Sequence, residues 1–145
     1  MKRFGFLLTS ICMGLGSYCF GDGLDFLNDK HPILGYEDQE FYSECTSEED
    51  TTLRQRECLS MELGLWEKVL SDIDEYVMTY EFGNDPSLTN EQYFLAQEAW
   101  EKYVEADCLM QAQVYIGGSL AGVIHLNCHA ERVRDRVKEL MSVVH

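Results

Sequence analysis

One short segment of the sequence resembles a site for nucleophilic catalysis. Gly117-Gly118-Ser119-Leu120-Ala121 departs only at its last position from G-x-S-x-G, the turn that exposes a nucleophilic serine between a strand and a helix. Ala121 stands where that turn requires glycine, and the rest of the sequence predicts no sheet to support it. We therefore interpret the segment as a turn between two helices in which Ser119 is the N-cap of the second helix.

A second group of residues has the chemistry of metal ligands. His125 and His129 are four residues apart, so a helix would place them on one face, and Cys128 lies between them. A metal site would also need a free thiolate or a third ligand, and the thiolate is lost if Cys128 forms a disulfide. The sequence has neither the H-E-x-x-H pattern of a metalloenzyme nor the C-x-x-C-H pattern of haem attachment. It therefore predicts no metal site and no cofactor.

The first 21 residues have the layout of a secretory signal peptide. A positive start at residues 1–3 precedes a mostly apolar run over residues 4–15, and small residues follow up to Gly21. Cleavage after Gly21 fits best, and cleavage after Gly16 fits nearly as well. No later segment is apolar enough to predict a membrane helix. We expect an exported protein, periplasmic or secreted, without stable insertion into a membrane.

The charge of the predicted mature chain limits its partners. Removing residues 1–21 removes two basic residues but none of the 26 acidic ones, so the net charge changes from −15 to −17. Such a charge argues against binding to nucleic acid or anionic lipid, and it favours a basic protein as the partner through long-range attraction. The sequence leaves the oligomeric state open.

The cysteines predict two disulfides. Four of the six remain after export, at Cys45, Cys58, Cys108 and Cys128, and four cysteines allow three pairings. Cys108 and Cys128 lie at nearly equal distances on either side of Gly117-Gly118. In an antiparallel helical hairpin they would therefore lie at the same height, and we expect them to pair. This leaves Cys45 to pair with Cys58.

Helical periodicity begins after an N-terminal arm. Residues 22–44 show no sustained period and predict an irregular arm, with at most a short helical turn near Phe26. A first long helix should begin at Thr51 or Thr52 and end before the breakers in residues 83–86. Its apolar residues recur at steps of three and four, at Leu59, Leu63, Trp66, Leu70, Ile73, Val77 and Tyr80.

Two further helices complete the predicted fold. The second should begin at Thr89, where residues 89–92 have the form of a capping box, and should bury Leu95, Ala99, Tyr103, Ala106 and Met110. The third should follow Ser119 and bury Leu120, Val123, Ile124, Val133, Val137, Leu140 and Val144. Its basic residues are expected on the outer side, at Arg132, Arg134, Arg136 and Lys138. The predicted fold class is all-α: about three main helices, two of them in an antiparallel hairpin, stapled by disulfides.

Residues 95–140 resemble the LprI-type lysozyme inhibitor family of small exported bacterial proteins. The resemblance rests on W-x-x-Y at 100–103, A-D-C at 106–108, Tyr115, G-G-S at 117–119, Cys128, and Arg136 with Leu140. Earlier in the chain, Cys45 and Cys58 have suitable spacing, whereas residues 54–56 do not match the family. Val104 replaces a common Arg and Val133 a common Thr. The resemblance implies a helical LprI-like domain over residues 45–145.

The resemblance also implies structural roles and a function. The matching residues are expected to support the fold: Trp100, Tyr103, Asp107, Tyr115, Gly117, Gly118, Ser119 and Arg136. The expected function is binding without catalysis, as an inhibitor of lysozyme or of a related peptidoglycan-cleaving enzyme. The alternatives are an envelope immunity protein against a delivered toxin and a structural or adaptor protein of the cell envelope. A neighbouring toxin gene would favour immunity, and muramidase inhibition in a turbidity assay would favour the inhibitor.

Replacing Ser119 by Ala should distinguish a helix cap from a nucleophile. Loss of an N-cap should lower the free energy of unfolding by about 0.5–2 kcal/mol. Chemical denaturation measures this change, and the binding activity should persist in the variant. A variant with unchanged stability that had lost a hydrolytic activity of the purified protein would instead identify Ser119 as a nucleophile.

Overall fold

The structure is a computed structural model that describes residues 26–37, 39–79 and 85–143. The predicted signal peptide lies outside these residues, as do Tyr80 and Val144. Three short helices come first: α1 (Phe26–Lys30), a 3₁₀ helix (Pro32–Gly35) and α2 (Glu40–Cys45). Three long helices follow: α3 (Thr52–Thr79), α4 (Pro86–Gln113) and α5 (Leu120–Val143). The predicted all-α fold with three main helices is confirmed.

Helix α5 is the central element of the fold, because both α3 and α4 pack against it. Helices α4 and α5 form the predicted antiparallel hairpin, and a turn containing Gly117 joins them. Gly117 has a φ of 86°, which is a left-handed conformation that glycine adopts without steric cost. The Gly117-Gly118 pair therefore permits the chain reversal on which the hairpin depends.

The main hydrophobic core lies between α3, α5 and the N-terminal arm. Its buried residues are Leu27, Ile33, Trp66, Val69, Leu70, Ile73, Val77, Val133, Val137 and Leu140. A smaller cluster between α4 and α5 contains Val104, Cys108 and Cys128, and Trp100 packs against both clusters. Most of the apolar stripe predicted for the first helix is therefore in the core.

Both predicted disulfides are present. Cys45–Cys58 joins α2 to α3 with a Cα–Cα distance of 5.8 Å, and Cys108–Cys128 joins α4 to α5 with 5.5 Å. Arg54 supports the first bridge because its guanidinium donates two hydrogen bonds, of 3.0 and 3.2 Å, to the carbonyl oxygen of Cys45. Loops of these lengths correspond to about 3 kcal/mol of stabilisation for each bridge.

The N-terminal arm is more regular than its sequence indicated. Its short helices bury Leu27 and Ile33 in the main core, and they place His31 against Asp72 of α3. His31 Nε2 lies 2.6 Å and Lys30 Nζ 2.5 Å from the Asp72 carboxylate, which is only 6% exposed. The arm is thus attached to α3 by a buried carboxylate as well as by apolar contacts.

The predicted start and the predicted buried face of the second helix were wrong. Helix α4 begins at Pro86, and Asp85 is its N-cap because the Asp85 carboxylate accepts a hydrogen bond from the Leu88 N–H. An Asp N-cap followed by Pro is a stronger start signal than a Thr four residues later. The residues expected in the core are exposed: Leu95, Ala99, Tyr103, Ala106 and Met110. The buried face instead carries Gln97, Val104, Cys108 and Ala112.

The basic residues of α5 also differ from the prediction. Arg134 is buried, with its Nη1 3.7 Å from the buried Glu62 carboxylate of α3. Burial raises the pKa of Glu62, although the Trp66 indole and the Arg134 guanidinium oppose this rise. Arg132 and Arg136 donate hydrogen bonds to side chains of α4, at Asp107 and Gln97 respectively. Three of the four side chains expected on an outer basic face therefore connect helices.

Replacing Asp72 by Asn should destabilise the fold by about 3 kcal/mol near pH 7, because it removes the buried carboxylate that both Lys30 and His31 contact. Burial of the Asp72 carboxylate favours its neutral form, but hydrogen bonds from Lys30 and His31 outweigh this effect and lower its pKa. The stabilisation is thus complete well above pH 4 and is lost as the pH falls through the lowered pKa.

Urea denaturation at several pH values measures the difference between wild type and Asp72→Asn. The matched control is Glu75→Gln, which removes an exposed carboxylate from the same helix and should change stability by less than about 0.5 kcal/mol. Equal effects of the two substitutions would contradict the proposed attachment of the arm.

Candidate functional site

A groove lies between α3 and α4, with α5 at its base. Its volume is 450 Å³. The lining residues are Glu67, Leu70, Ser71 and Asp74 from α3, Trp100, Glu101, Val104 and Glu105 from α4, and His129 and Val133 from α5. We call this surface the α3–α4 groove. It exists because α3 and α4 both pack on α5 while leaving space between each other.

The α3–α4 groove combines an apolar base with acidic edges. Val104 and Val133 are buried at the base, and Trp100 is half-buried beside them. Both valines are positions where the chain departs from its resemblance to the inhibitor family. Four carboxylates line the edges, at Glu67, Asp74, Glu101 and Glu105. Such a surface suits a cationic side chain with an apolar stem, because the stem packs on the base while the charge meets the carboxylates.

Asp74 is held in place by hydrogen bonds that cross the helices. Its carboxylate accepts a bond of 2.7 Å from the Tyr93 hydroxyl and one of 3.4 Å from the Gln97 amide. The Gln97 carbonyl oxygen accepts a 2.7 Å bond from Arg136 Nε. Burial and the bond to Asp74 raise the pKa of Tyr93, so its hydroxyl remains a donor. This network links α3, α4 and α5 below one edge of the groove.

His129 closes one side of the groove and lies near His125. The two rings are 4.5 Å apart between centroids, and the Nε2 atom of His129 is buried without a hydrogen-bond partner. Burial, with a further contribution from His125, lowers the pKa of His129. Glu105 approaches from α4, with its Oε2 atom 3.6 Å from His129 Nε2. The four-residue spacing predicted that His125 and His129 share a helix face. It gave no indication of Glu105, because that carboxylate comes from the other helix of the hairpin.

The residues that carry the family resemblance lie along the contact between α4 and α5. Asp107 accepts a 2.9 Å bond from Arg132 Nη2, and this bond raises the pKa of Arg132. The Arg132 guanidinium also lies over the exposed Tyr103 ring, 5.9 Å from its centroid. Arg136 lies at the same distance from the Trp100 ring. Of these motif residues, only Trp100 also lines the groove.

The remaining motif residues form the hairpin turn. The Tyr115 carbonyl oxygen accepts a 3.1 Å bond from the Gly118 N–H, while the Tyr115 side chain is 43% exposed. Ser119 is exposed and directly precedes the first residue of α5, which is the position of an N-cap. The described residues contain no strand before it. A nucleophile elbow requires a strand before its turn and helix, and that strand is missing from this part of the chain.

A comparison with protein-family models gives a match over residues 43–140 to the family described as lysozyme inhibitor LprI. The chain belongs to this family. The match contains both disulfides and most of the three long helices, and it extends the resemblance seen in residues 95–140 toward the N-terminus. The short helices that bury Leu27 and His31 precede the matched segment. No curated protein and no solved structure matches the chain.

The family motif and the groove edge should respond differently to substitution. Asp107→Asn removes the charged acceptor of Arg132 and should lower the free energy of unfolding by about 1.5 kcal/mol. Glu101→Gln removes an exposed carboxylate six residues earlier and should change stability by less than about 0.5 kcal/mol. Thermal denaturation of both variants measures this contrast. Equal stability of the two would contradict a structural role for the motif.

Proposed function

We propose that this protein is exported and inhibits a lysozyme, or a related peptidoglycan-cleaving enzyme, by binding it at the α3–α4 groove. The family match over residues 43–140 is the observation that carries the proposal. The four carboxylates around the apolar base of the groove support this location. In the described part of the chain, no helix is long and apolar enough to cross a membrane.

The charge of the chain supports a basic partner. With a net charge of −15, or −17 once residues 1–21 are removed, the protein attracts cationic proteins from beyond contact distance. Many lysozymes are basic, so this attraction should raise the rate of association more than it slows dissociation. The groove would then provide the specific contact, by receiving a Lys or Arg side chain of the enzyme between its acidic edges.

The mechanism of inhibition follows from the size of the partners. A protein bound across the opening of the enzyme's catalytic cleft would exclude substrates, large or small, by steric hindrance. No catalytic step in the inhibitor is required. This proposal thus keeps the expectation that the protein is not an enzyme, and it assigns the site residues to recognition.

Association with a lysozyme should slow as ionic strength rises. The Debye length contracts from about 30 Å at 0.01 M salt to about 10 Å at 0.1 M, so attraction beyond contact distance weakens. Surface plasmon resonance measures both rate constants, and dissociation should change less than association. A parallel assay of the enzyme on a small uncharged substrate must show inhibition. Saturable binding that leaves the enzyme fully active would contradict the proposal, as would absence of binding at low salt.

A matched pair of charge reversals tests the location. Glu101→Lys and Glu48→Lys change the net charge equally, but Glu101 lines the groove and Glu48 is exposed in the segment before α3. The groove variant should raise the dissociation constant by about tenfold or more, whereas the control should change it by less than about threefold. Equal weakening by both would indicate nonspecific attraction and would contradict binding at the groove.

A further inference from the structure

A histidine pair on α5 and one carboxylate on α4 have the arrangement of metal ligands. One ligand atom from each of Glu105, His125 and His129 can be chosen so that all three lie within 4.8 Å of one another. His125 and His129 are one helical turn apart, which gives both rings the same direction from α5. Glu105 faces them from the neighbouring helix. The third ligand, which the sequence alone did not identify, is therefore Glu105, and the packing of α4 against α5 brings it to the histidines.

The distance between the Glu105 carboxylate and the His129 ring suits a shared metal ion better than a hydrogen bond. Glu105 Oε2 and His129 Nε2 are 3.6 Å apart, which is too long for a hydrogen bond. In a tetrahedral Zn²⁺ site with bonds of about 2.0–2.1 Å, neighbouring ligand atoms are about 3.3 Å apart. The Glu105–His129 separation thus needs a closure of only about 0.3 Å, which the flexible Glu105 side chain, 67% exposed, can provide.

The state of His129 is the second observation that points to a ligand. Its side chain is only 18% exposed, and its Nε2 atom is buried without a hydrogen-bond partner. Buried polar atoms are normally paired, because an unpaired one loses its hydration without compensation. This atom is directed toward the Glu105 carboxylate, and a cation between the two would satisfy both.

The Cys108–Cys128 disulfide fixes the distance between the two helices at this point. Cys108 lies three residues after Glu105, and Cys128 lies directly before His129. The bridge removes a thiolate from the possible ligands, but it holds the carboxylate of one helix against the histidines of the other. Such a prepared geometry lowers the cost of assembling a metal site.

We propose that Glu105, His125 and His129 form a Zn²⁺ site at the side of the α3–α4 groove. Two imidazoles and one carboxylate are ligands that Zn²⁺ accepts, and three protein ligands leave a fourth position open for water or for a donor group of a partner. Because Glu105 and His129 also line the groove, the ion would reduce the negative charge there. The site itself does not depend on the proposed lysozyme inhibition.

Isothermal titration of the purified, oxidised protein with ZnCl₂ in a non-chelating buffer tests this site. Wild type should bind one Zn²⁺ per chain. Glu105→Gln and His125→Gln should each weaken binding by about tenfold or more, since loss of even an outer-shell partner typically costs about 10–100-fold. Glu91→Gln is the matched control, because it removes an exposed carboxylate about 21 Å away along the same helix, and it should leave the affinity within about twofold.

The melting temperature provides a second measurement that does not rely on heats of binding. Zn²⁺ should raise the melting temperature of wild type and of Glu91→Gln, and EDTA should reverse the increase, because a ligand that binds the folded state stabilises it. The two site variants should show a much smaller rise. Absence of Zn²⁺ binding to wild type would overturn the proposal. Binding that both site variants leave unchanged, or that Ca²⁺ displaces equally well, would also overturn it, because it would identify a general acidic surface.

Discussion

The Cys108–Cys128 bridge is the contact on which the candidate site depends. It holds α4 against α5 at one height, with a Cα–Cα distance of 5.5 Å, while the turn at Gly117 holds the helices at one end. Most of the apolar core lies elsewhere, between α3, α5 and the arm. Because α4 contributes few buried apolar side chains, the disulfide and the polar contacts of Asp107 and Gln97 must fix its position. The width of the α3–α4 groove and the approach of Glu105 to His129 follow from that position.

The architecture could be predicted from the sequence where one signal was dominant. Helix α3 has one apolar stripe, so its length and buried face followed from periodicity, and the symmetry of Cys108 and Cys128 about the glycines gave the pairing. The prediction of the buried face of α4 was wrong because this helix carries apolar residues on two faces. The periodicity predicted that the face with Leu95 and Tyr103 would be buried. In the structure the disulfide at Cys108 holds the face with Val104 against α5 instead. A periodic pattern cannot distinguish two such faces. The predicted disulfide at Cys108, however, already indicated that the face carrying Cys108 packs against α5.

The site was less predictable than the fold because its residues come from three helices. Nothing in the local sequence links Glu105 to His129 or Asp74 to Tyr93, and each pair forms only when the helices pack. The burial of charged side chains was equally hard to predict from the sequence. Arg134 and Asp72 have the sequence context of surface residues, yet each lies within the protein beside a partner from a distant segment. Long-range electrostatic pairs of this kind are set by tertiary packing and leave little trace in a single sequence.

The two tryptophans provide the most direct test of binding at the α3–α4 groove. Trp100 lines the groove, whereas Trp66 is 2% exposed in the main core, and the chain has no other tryptophan. In a ¹⁵N-labelled sample titrated with unlabelled lysozyme, each indole N–H gives a separate NMR signal. Binding at the groove should shift or broaden the Trp100 signal at substoichiometric lysozyme, while the Trp66 signal should stay in place. An unchanged Trp100 signal under conditions in which the enzyme is inhibited would contradict it.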